Sequence, residues 1–448
     1  MDKYMEEVVK KYLITRKYGC FISAVLESEH LVQIDIEQDR SRIDRKEKAE
    51  KQEQIVELEQ TAKLGDIFIG KVKNIVPNIQ AAFIEIGEKQ KGYLSLEKLK
   101  QPIFLNPKKN QEVHQGDELL VQISKEAVKT KPVNLTIHLN FTGRYVVLTY
   151  GKTMIGISSK IKERTERKRL YKLLEPYKNE EYGFILRTNA VNALDSEIVA
   201  EIDKLRKEYK KVRQKAEYSA CFSCVFEAPE HFITDIRDSR KKQSLEIITD
   251  DRQIYERVRN YLESFQPEDK EKLRFYQDSM ICLWNLYGLE AKLEKALRQK
   301  VWLPSGAYLV IEPTEALTVI DVNSGKAVGK KKDTEAAYYK INLEAAKEIA
   351  VQIRLRNLSG VILVDFIDME EEKNTNALVS FFAEKLAKDP IKANFIDMTA
   401  LHLAEITRKK VRKPLYEQIR LFQIEEDKNK EKNREEGKEL IWKIVKKK

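Results

Sequence analysis

Two aspartates stand at the ends of two apolar segments, where their carboxylates could share a divalent cation. Asp321 follows the apolar residues 317–320, and Asp365 follows the apolar residues 361–364. Apolar residues at helical spacing predict one helix over 334–356, so we expect a strand–helix–strand unit with parallel strands. Parallel strands end at the same edge of a sheet, which would bring the two carboxylates together. Magnesium takes oxygen ligands and commonly uses one or two carboxylates.

The residues alone leave two interpretations of these aspartates open. Each aspartate taken singly fits a carboxylate that caps a turn. The pair at matched strand ends fits a metal site equally well, because an unpaired carboxylate at the end of an apolar strand is costly. A magnesium ion there would activate water and stabilise a pentavalent phosphate. Further oxygen donors nearby, with weaker claims, are Asn323, Asp368 and Glu370.

A basic loop follows the first of these strands. Residues 323–332 read Asn-Ser-Gly-Lys-Ala-Val-Gly-Lys-Lys-Lys, which invites comparison with a phosphate-binding loop. Its glycines are one residue too close for the Walker A spacing, and Lys331 stands where serine or threonine should bind magnesium, so we reject nucleotide hydrolysis. Two alternatives remain for this loop: it binds RNA phosphates, or it is a solvated basic loop without a ligand. Its lysines are Lys326, Lys330, Lys331 and Lys332.

An aromatic residue interrupts the polar side of a strand-like segment at 80–86. Phe83 lies opposite the apolar face of this segment, and an aromatic side chain there is a candidate for stacking on a nucleobase. Tyr93 and Lys125, on neighbouring segments, would extend the same surface. A single surface aromatic is often without function, but the surrounding pattern of short strands favours binding.

The cysteines and histidines do not form a recognisable site. Cys221 and Cys224 have metal-ligand spacing, but no second pair exists among the four cysteines, and the segment 221–226 is typical of a core strand. Zinc is therefore not expected. The five histidines form no cluster, so histidine-based acid–base catalysis is not supported.

The elements that must position these residues fall into several domains. Short segments at 67–75, 80–86, 92–94 and 117–124, separated by Gly, Pro and Asn, predict a small five-stranded barrel. Strands are also predicted at 12–37 and 220–236. Helices are predicted at these segments: 158–178, 194–218, 249–264, 276–299 and 334–356. The segments 38–63 and 425–448 are highly charged, which indicates solvated structure.

Composition narrows the class of protein. The chain has 448 residues, 42% of them hydrophobic, which is enough for several cores, and its net charge of +10 favours an anionic partner. Four cysteines do not make a disulfide framework, and we find no signal peptide and no apolar run of membrane-spanning length. We therefore expect a cytoplasmic protein with no integral membrane contact.

Several motifs closely resemble the ribonuclease E/G family. The specific ones lie in the second half of the chain, at 303–306, 312–326, 342–350, 354–360 and 364–369. Looser matches to the OB-fold RNA-binding domain of that family lie at 70–72, 81–87 and 92–94, and a match to its 5′-end sensor lies at 183–188. The resemblance runs from about residue 12 to about residue 420.

This resemblance implies a fold and a function. The fold class implied is α+β and multi-domain, with an RNase H-like domain interrupted by an OB-fold barrel and a 5′ sensor, then a DNase I-like catalytic domain. The reaction implied is endonucleolytic cleavage of single-stranded RNA to 5′-phosphate and 3′-hydroxyl ends. The implied residues are Asp321 and Asp365 as magnesium ligands, Asn323 in support, Phe83, Tyr93 and Lys125 for RNA binding, and Arg187 and Thr188 for a 5′-monophosphate.

Two departures from the family pattern affect these expectations. The cysteine pair that binds an intersubunit zinc in the family is missing after Arg408, so a homodimer or higher oligomer would form without zinc. Where many members read Ser-Arg-Phe-Gly, this chain reads Thr-Ala-Leu-His over 399–402, so an arginine is missing at Ala400. Lys326 and Arg408 are candidates to replace it.

We therefore predict a magnesium-dependent endoribonuclease that acts in rRNA processing or mRNA decay. The alternative is a non-catalytic RNA-binding protein on a degenerate nuclease scaffold. Binding of an acidic membrane or the ribosome through the basic tail at 443–448 could accompany either. The predicted domains are 1–63 and 216–280 (RNase H-like), 64–143 (barrel), 144–215 (5′ sensor), 281–420 (catalytic) and 421–448 (tail).

Overall fold

The computed structural model describes most of the chain. The described residues are 10–40, 62–87, 90–99, 101–106, 112–126, 132–191, 193–239, 245–326 and 334–420. Most of the charged segment predicted at 38–63, the tail 421–448 and the three lysines Lys330, Lys331 and Lys332 lie outside the described residues.

Within these residues the chain forms twenty-one strands and eight α-helices. The strands are β1 Lys10–Lys17, β2 Cys20–Glu27, β3 His30–Gln38, β4 Ile67–Val76, β5 Ala81–Gly87, β6 Gln90–Ser95, β7 Glu118–Lys125, β8 Val133–Thr136, β9 Asn140–Thr142, β10 Val146–Tyr150, β11 Ile155–Ile157, β12 Tyr182–Leu186, β13 Cys224–Phe226, β14 Leu245–Thr249, β15 Leu273–Phe275, β16 Lys300–Trp302, β17 Tyr308–Pro313, β18 Leu317–Asn323, β19 Gly360–Asp365, β20 Ala393–Met398 and β21 Leu403–Arg408. The helices are α1 Arg164–Leu174, α2 Asp195–Glu217, α3 His231–Asp238, α4 Arg252–Phe265, α5 Leu283–Leu286, α6 Leu289–Leu297, α7 Thr334–Leu355 and α8 Glu372–Leu386.

These elements divide into two compact units. The two-sheet unit contains the described residues of 10–40, 245–263 and 267–420. The barrel unit contains the described residues of 62–239 together with 264–266.

The first sheet of the two-sheet unit has the strand order β15-β14-β1-β2-β3. Strands β1 to β3 form an antiparallel meander, and β14 and β15 run parallel to β1. Its core is nearly continuous along β1 and β2, because both faces of these strands are buried. The core also includes Leu355, the last residue of α7, and Leu415, which follows β21. The Gln418 side chain accepts a hydrogen bond from the backbone N–H of Ile36 and donates one to the Asp35 carboxylate. These two bonds attach the segment that follows β21 to strand β3 of the first sheet.

The second sheet has the order β16-β17-β18-β19-β21-β20. Strands β18 and β19 are parallel, as the predicted strand–helix–strand unit requires, and the other neighbours are antiparallel. Helices α7 and α8 supply the helical side of the core; the apolar stripe of α7 is centred on Ile341, Ala345, Ile349 and Ile353. Along β17, β18 and β19, buried side chains alternate with half-buried or exposed ones. The buried side chains make the core with the helices, and the others form the opposite face, which we call the open face.

The barrel unit contains a closed five-stranded barrel in the order β4-β5-β6-β8-β7, closed by pairing of β4 with β7. This confirms the barrel that the spacing of short strands predicts. A second sheet, β11-β12-β10-β9, packs against α1 and α2 around a separate core that includes Phe141, Phe184 and Tyr209. None of the described helices is both long and apolar enough to cross a membrane.

Three of the predicted elements differ from the structure. The strands predicted at 220–236 are one three-residue strand, β13, followed by helix α3, because apolar residues after 230 recur at helical spacing. The helix predicted at 276–299 begins only at Leu283 and is interrupted at Gly288, which has φ +57°. The helix predicted at 158–178 is shorter, since α1 begins only at Arg164.

Candidate active site and binding surfaces

The two aspartates lie directly opposite each other at the ends of parallel strands. Asp321 on β18 pairs in register with Asp365 on β19. Residues that alternate with them, Ile320 and Val364, are fully buried, so the pleat directs both aspartates to the opposite, open face. Asp321 is half-buried and Asp365 is exposed. The sequence prediction that one sheet edge brings these carboxylates together is therefore confirmed.

Negative charge collects at this position. Burial raises the pKa of Asp365 above its usual value, and the charges of Asp321 and Asp368 raise it further. Among the described residues no lysine or arginine forms an ion pair with Asp321 or Asp365. The Asn323 amide donates a hydrogen bond to Oδ2 of Asp321 at 2.6 Å, which orients that carboxylate. A cation placed between the two strands would relieve the repulsion.

The two carboxylates form a donor set that a magnesium ion could use. Among the described residues no group of three or more His, Cys, Asp or Glu side chains is placed to hold a metal ion. Two carboxylates with the remaining positions left to water or substrate oxygens are a common magnesium arrangement. Asp321 and Asp365 are therefore the residues that would hold the ion.

A buried asparagine fixes the loop that follows Asp365. Asn342 on α7 is fully buried. Its side-chain Nδ2 donates to the carbonyl of Ile367 at 2.8 Å, and its Oδ1 accepts from the backbone N–H of Ile367 at 3.1 Å. The peptide two residues beyond Asp365 is thus held by both of its polar groups. The sequence prediction missed this role, although a polar residue on the buried stripe of a helix was the signal for it.

Glu335 on α7 holds the backbone of the same loop, a few residues after Ile367. Its carboxylate accepts hydrogen bonds from the backbone N–H groups of Glu370 and Glu371 and from the Asn374 side chain. These bonds, that from Asn374 first, lower the pKa of Glu335. The carboxylate neutralises free donors at the start of α8, where negative charge is favourable. Helix α7 therefore positions the whole segment between β19 and α8.

We expect Asn342→Ala to lower the cleavage rate by about tenfold or more, because a misplacement near 1 Å at a reacting centre can cost on the order of 100-fold. The two lost hydrogen bonds should also lower the free energy of unfolding by about 1–3 kcal/mol. Single-turnover kinetics and urea unfolding measure the two effects. Asn394→Ala, at an exposed position on β20, is the matched control, and equal rates for both variants would exclude the positioning role.

Ala400 lies in the turn that joins β20 to β21. The turn is closed by the Thr399 N–H to the Leu403 carbonyl at 2.8 Å, and Leu403 pairs with Asp365, so the turn is at the aspartate edge of the sheet. His402 adopts φ +60°, a left-handed conformation that glycine adopts more readily. The position at which the family pattern has arginine is therefore near the carboxylates, and here it bears a methyl group.

Arg408 does not replace the missing arginine, so that prediction was wrong. Its side chain is buried, pairs with Asp389 at 2.7 Å and donates to Asn357 Oδ1 and the Leu358 carbonyl. Arg408 alternates on β21 with residues of the open face and so points to the core side. Lys326 is exposed at the end of the described part of its loop and stays a prediction for RNA binding.

The predicted RNA-binding residues of the barrel form one row across four strands. Phe83 pairs with Tyr93, Tyr93 with Asn134, and Asn134 with Lys125. The two rings meet edge to face with centroids 6.3 Å apart. Both rings are half-buried and Lys125 is exposed, whereas the alternating residue Ala82 is in the barrel core. The row combines ring surface with a cation, which is the composition of a single-strand binding surface.

We expect Phe83→Ala and Tyr93→Ala each to weaken binding of single-stranded RNA by about 5- to 150-fold, because a base–aromatic stack contributes about 1–3 kcal/mol. Fluorescence anisotropy with a labelled oligonucleotide measures the dissociation constant. Tyr171→Ala removes an exposed ring elsewhere in the barrel unit and should leave binding unchanged. Equal affinities for all three variants would contradict the assignment.

Arg187 and Thr188 lie at the end of β12, and both already have partners. Arg187 donates from one nitrogen to the Gly143 carbonyl and to Asp238 Oδ1, each at 2.7 Å. Burial would raise the pKa of Asp238, but the hydrogen bond from Arg187 and the charges of Arg237 and Arg187 outweigh it and hold the pKa at about 2. The hydroxyls of Thr188 and Ser158 are 3.3 Å apart. A phosphate would meet an arginine whose orientation is fixed beforehand.

Glu201 fixes the backbone segment that holds Arg187. Its buried carboxylate accepts backbone N–H bonds from Arg144, Tyr145 and Val146 at 2.6–2.9 Å. Burial raises its pKa, and these three bonds oppose the rise. A Cβ on Gly143 would come within 2.6 Å of this carboxylate, so only glycine fits beside it. The Gly143 carbonyl that holds Arg187 is thereby fixed.

The cysteine pair lies in the barrel unit. Cys224 belongs to β13, and half-buried Cys221 packs against the core of the second sheet of that unit. Burial raises the pKa of the Cys221 thiol, which disfavours the thiolate form that metals bind.

Comparison with known proteins covers both halves of the chain. The model of the Ribonuclease E/G family matches residues 140–411, and the model of the S1 RNA binding domain matches residues 61–138. Ribonuclease G of Haemophilus influenzae is 32% identical over 373 residues, which cover 80% of this chain and 76% of that protein. Ribonuclease G of Escherichia coli K12 is 31% identical over 79% of this chain and 74% of its own length. Ribonuclease E of Nostoc sp. is 34% identical over 79% of this chain and 52% of its own length.

Proposed function

Because the chain belongs to the ribonuclease E/G family, we propose that it is a magnesium-dependent endoribonuclease that cleaves single-stranded RNA during RNA processing or decay. The observation that carries the proposal is the register of Asp321 with Asp365 at the ends of β18 and β19. Family membership supports the reaction class, and this register supports the aspartate pair as the site of the reaction.

Each residue of the site has a distinct part in the reaction. Asp321 and Asp365 would hold a magnesium ion, which when bound supplies positive charge to a phosphate oxygen and acidifies water. Asn323 orients Asp321, and Asn342 and Glu335 hold the backbone beyond Asp365. A water oxygen attacks phosphorus in line and gives up a proton to solvent, and the bond from phosphorus to O3′ breaks. The O3′ oxygen takes up a proton from solvent, so the products carry a 5′-phosphate and a 3′-hydroxyl.

The remaining surfaces bind the substrate. The row of Phe83, Tyr93, Asn134 and Lys125 would take the single strand, and Arg187 with Thr188 would take a 5′-monophosphate. A guanidinium beside a hydroxyl suits a terminal phosphate, and charge-assisted hydrogen bonds to phosphate are among the stronger ones. We also propose that the protein forms a homodimer or higher oligomer without a zinc link, and that it is located in the cytoplasm.

The strand orders support the domain types in this proposal, whereas the described residues 216–239, which we predicted to be RNase H-like, lie in the barrel unit. An antiparallel meander β1-β2-β3 extended by parallel strands β14 and β15 fits an RNase H-like domain. The second sheet with α7 and α8 on one face supports a DNase I-like catalytic domain.

A purified sample tests the reaction directly. The protein is incubated with a 5′-monophosphorylated, A/U-rich single-stranded RNA in magnesium or in EDTA, and the termini of the products are mapped. We expect internal cleavage only with magnesium, and products that a 5′-phosphate-dependent exonuclease degrades. Cleavage in EDTA, or products with 2′,3′-cyclic phosphate ends, would contradict the proposed chemistry.

The 5′-phosphate site makes a separate prediction. Arg187→Gln should reduce the preference for 5′-monophosphate over 5′-hydroxyl RNA by about 10- to 150-fold, because a hydrogen bond to a charged group contributes about 1.5–3 kcal/mol. The ratio of kcat/KM for the two substrates measures it. Arg206→Gln, in the same unit and paired with Asp203, should leave the ratio unchanged. A preference that survives Arg187→Gln would place the sensor elsewhere.

One observation favours the second candidate, an RNA-binding protein on a degenerate nuclease scaffold. The turn at the aspartate edge bears Ala400, and Arg408 points to the core. RNA binding in magnesium without any cleavage would support this candidate over the enzyme.

A further inference from the structure

A cationic aromatic cluster lies on the edge strands of the second sheet. The ring centroids of Trp302 and Tyr308 are 5.1 Å apart. The ammonium of Lys300 is 4.2 Å from the Trp302 centroid and 3.4 Å from the Tyr308 centroid. Neither the catalytic aspartates nor the barrel row accounts for this cluster.

The register places the cluster beside the aspartate pair. Trp302 pairs with Tyr308, and Tyr308 pairs with Asn323, the residue that orients Asp321. Lys300 pairs with Val310, which pairs with Asp321. Paired residues point to the same side of an antiparallel sheet, so the cluster shares the open face. Adjacent strands are about 4.7–4.9 Å apart, which puts the Trp302 backbone roughly 10 Å from that of Asn323.

Exposure distinguishes this cluster from ordinary packing. Trp302 is 62% exposed, and Tyr308 and Val310 are half-buried, whereas the alternating residues Val301 and Leu309 are in the core. Lys300 lies over one face of each ring, and the 62% exposed indole of Trp302 still offers ring surface that a planar ligand can reach. The lysine adds a charge of the sign that a phosphate attracts.

We propose that Trp302 and Tyr308 stack on a nucleobase of the RNA that lies next to the scissile phosphate, and that Lys300 contacts the adjoining backbone phosphate. This inference rests on the proposed function, since it assigns a substrate contact to the same open face. Base stacking is tolerant of sequence, so the cluster would hold the strand in place at the aspartates rather than select a base.

Tryptophan fluorescence tests the contact without cleavage. The double variant Asp321→Asn/Asp365→Asn is combined with Trp442→Phe, which leaves buried Trp284 and exposed Trp302 as the emitting residues. A twelve-nucleotide A/U single strand is titrated in, and acrylamide quenching is recorded. We expect saturable quenching by RNA, protection of Trp302 from acrylamide, and loss of both signals in Trp302→Phe. Binding by anisotropy without either signal overturns the proposal.

A cycle between protein and substrate tests proximity to the cleaved bond. In otherwise native protein, Trp302→Ala should lower kcat/KM by about 5- to 150-fold on intact RNA. An abasic nucleotide at one position near the cleavage site should lower it similarly, and the two losses should not add, because both remove the same contact. Trp302→Phe should recover most of the rate, and Tyr218→Ala, at a ring that is 90% exposed in the barrel unit, should match native protein.

The outcomes separate the two proposals. Native cleavage that depends on both aspartates, with Trp302→Ala unaffected or fully additive with every abasic position, overturns the stacking contact alone. Failure of the native protein to cleave, or of the inactive variant to bind RNA, overturns the proposed function and the contact with it. Protection of Trp302 by added protein partners but not by RNA would also overturn the assignment to a nucleobase.

Discussion

Asp321→Asn and Asp365→Asn are each expected to lower the rate of RNA cleavage by about 10³-fold or more. Charge supplied by a bound metal contributes several kcal/mol to a phosphoryl transition state, and 1.4 kcal/mol corresponds to tenfold. Asparagine preserves the shape of the side chain and removes the charge that holds the cation. Single-turnover cleavage of a 5′-monophosphorylated RNA measures the effect.

Stability gives this prediction a second readout. Repulsion from Asp321 and Asp368 contributes to the raised pKa of Asp365, so removing its charge relieves an unfavourable interaction in the folded protein. The Tm of Asp365→Asn in EDTA should therefore equal or exceed that of native protein. Glu384→Gln, the same change of carboxylate to amide at an exposed position on α8, should retain full activity. Full activity in both aspartate variants would exclude the site.

Arg408→Met is expected to lower the free energy of unfolding by about 3–5 kcal/mol, because it leaves the buried Asp389 carboxylate without its partner. The two side chains are 2% and 5% exposed, and Arg408 also donates to Asn357 and the Leu358 carbonyl. Urea unfolding, followed by circular dichroism, measures the change in midpoint. The arginine joins β21 to the turn after α7 and to the segment before β20, so its loss affects the framework of the catalytic sheet.

An exposed pair on the same unit is the matched control for Arg408→Met. Lys388 pairs with Glu384 at 3.0 Å, with side chains 65% and 60% exposed. Lys388→Met should leave the urea midpoint close to that of native protein, because exposed ion pairs contribute little to stability. Similar losses for the two variants would contradict the account of Arg408. Arg408→Lys should fall between native protein and Arg408→Met, since it keeps the charge but not the forked hydrogen bonds.

The sequence predicted the features that follow from local periodicity. Apolar runs on either side of an amphipathic helix predicted parallel strands, and parallel strands bring Asp321 and Asp365 to one edge. Short strands between Gly, Pro and Asn predicted the barrel. The outward position of Phe83 followed from alternation along its strand. These inferences needed only the period of two or of 3.6 residues.

The features that the sequence did not predict depend on pairing between distant segments of the chain. The burial of Arg408 depends on Asp389 and Asn357, which no local pattern links to it. The two hydrogen bonds between Asn342 and the Ile367 backbone require the loop after β19 to lie against α7. The row that adds Asn134 to Phe83 and Tyr93 depends on parallel pairing of β6 with β8, and the cluster at Trp302 depends on β16 being the edge strand. Register across strands is tertiary information.

The most direct test of the central claim is to locate the metal itself. Fe²⁺ in place of Mg²⁺, with ascorbate and peroxide, cuts a polypeptide close to the bound ion, and mass spectrometry maps the cuts. We expect cuts near 321 and 365 that excess magnesium suppresses and that Asp321→Asn/Asp365→Asn abolishes. Cuts confined to other segments, or unchanged in that double variant, would show that the aspartate pair is not the metal site.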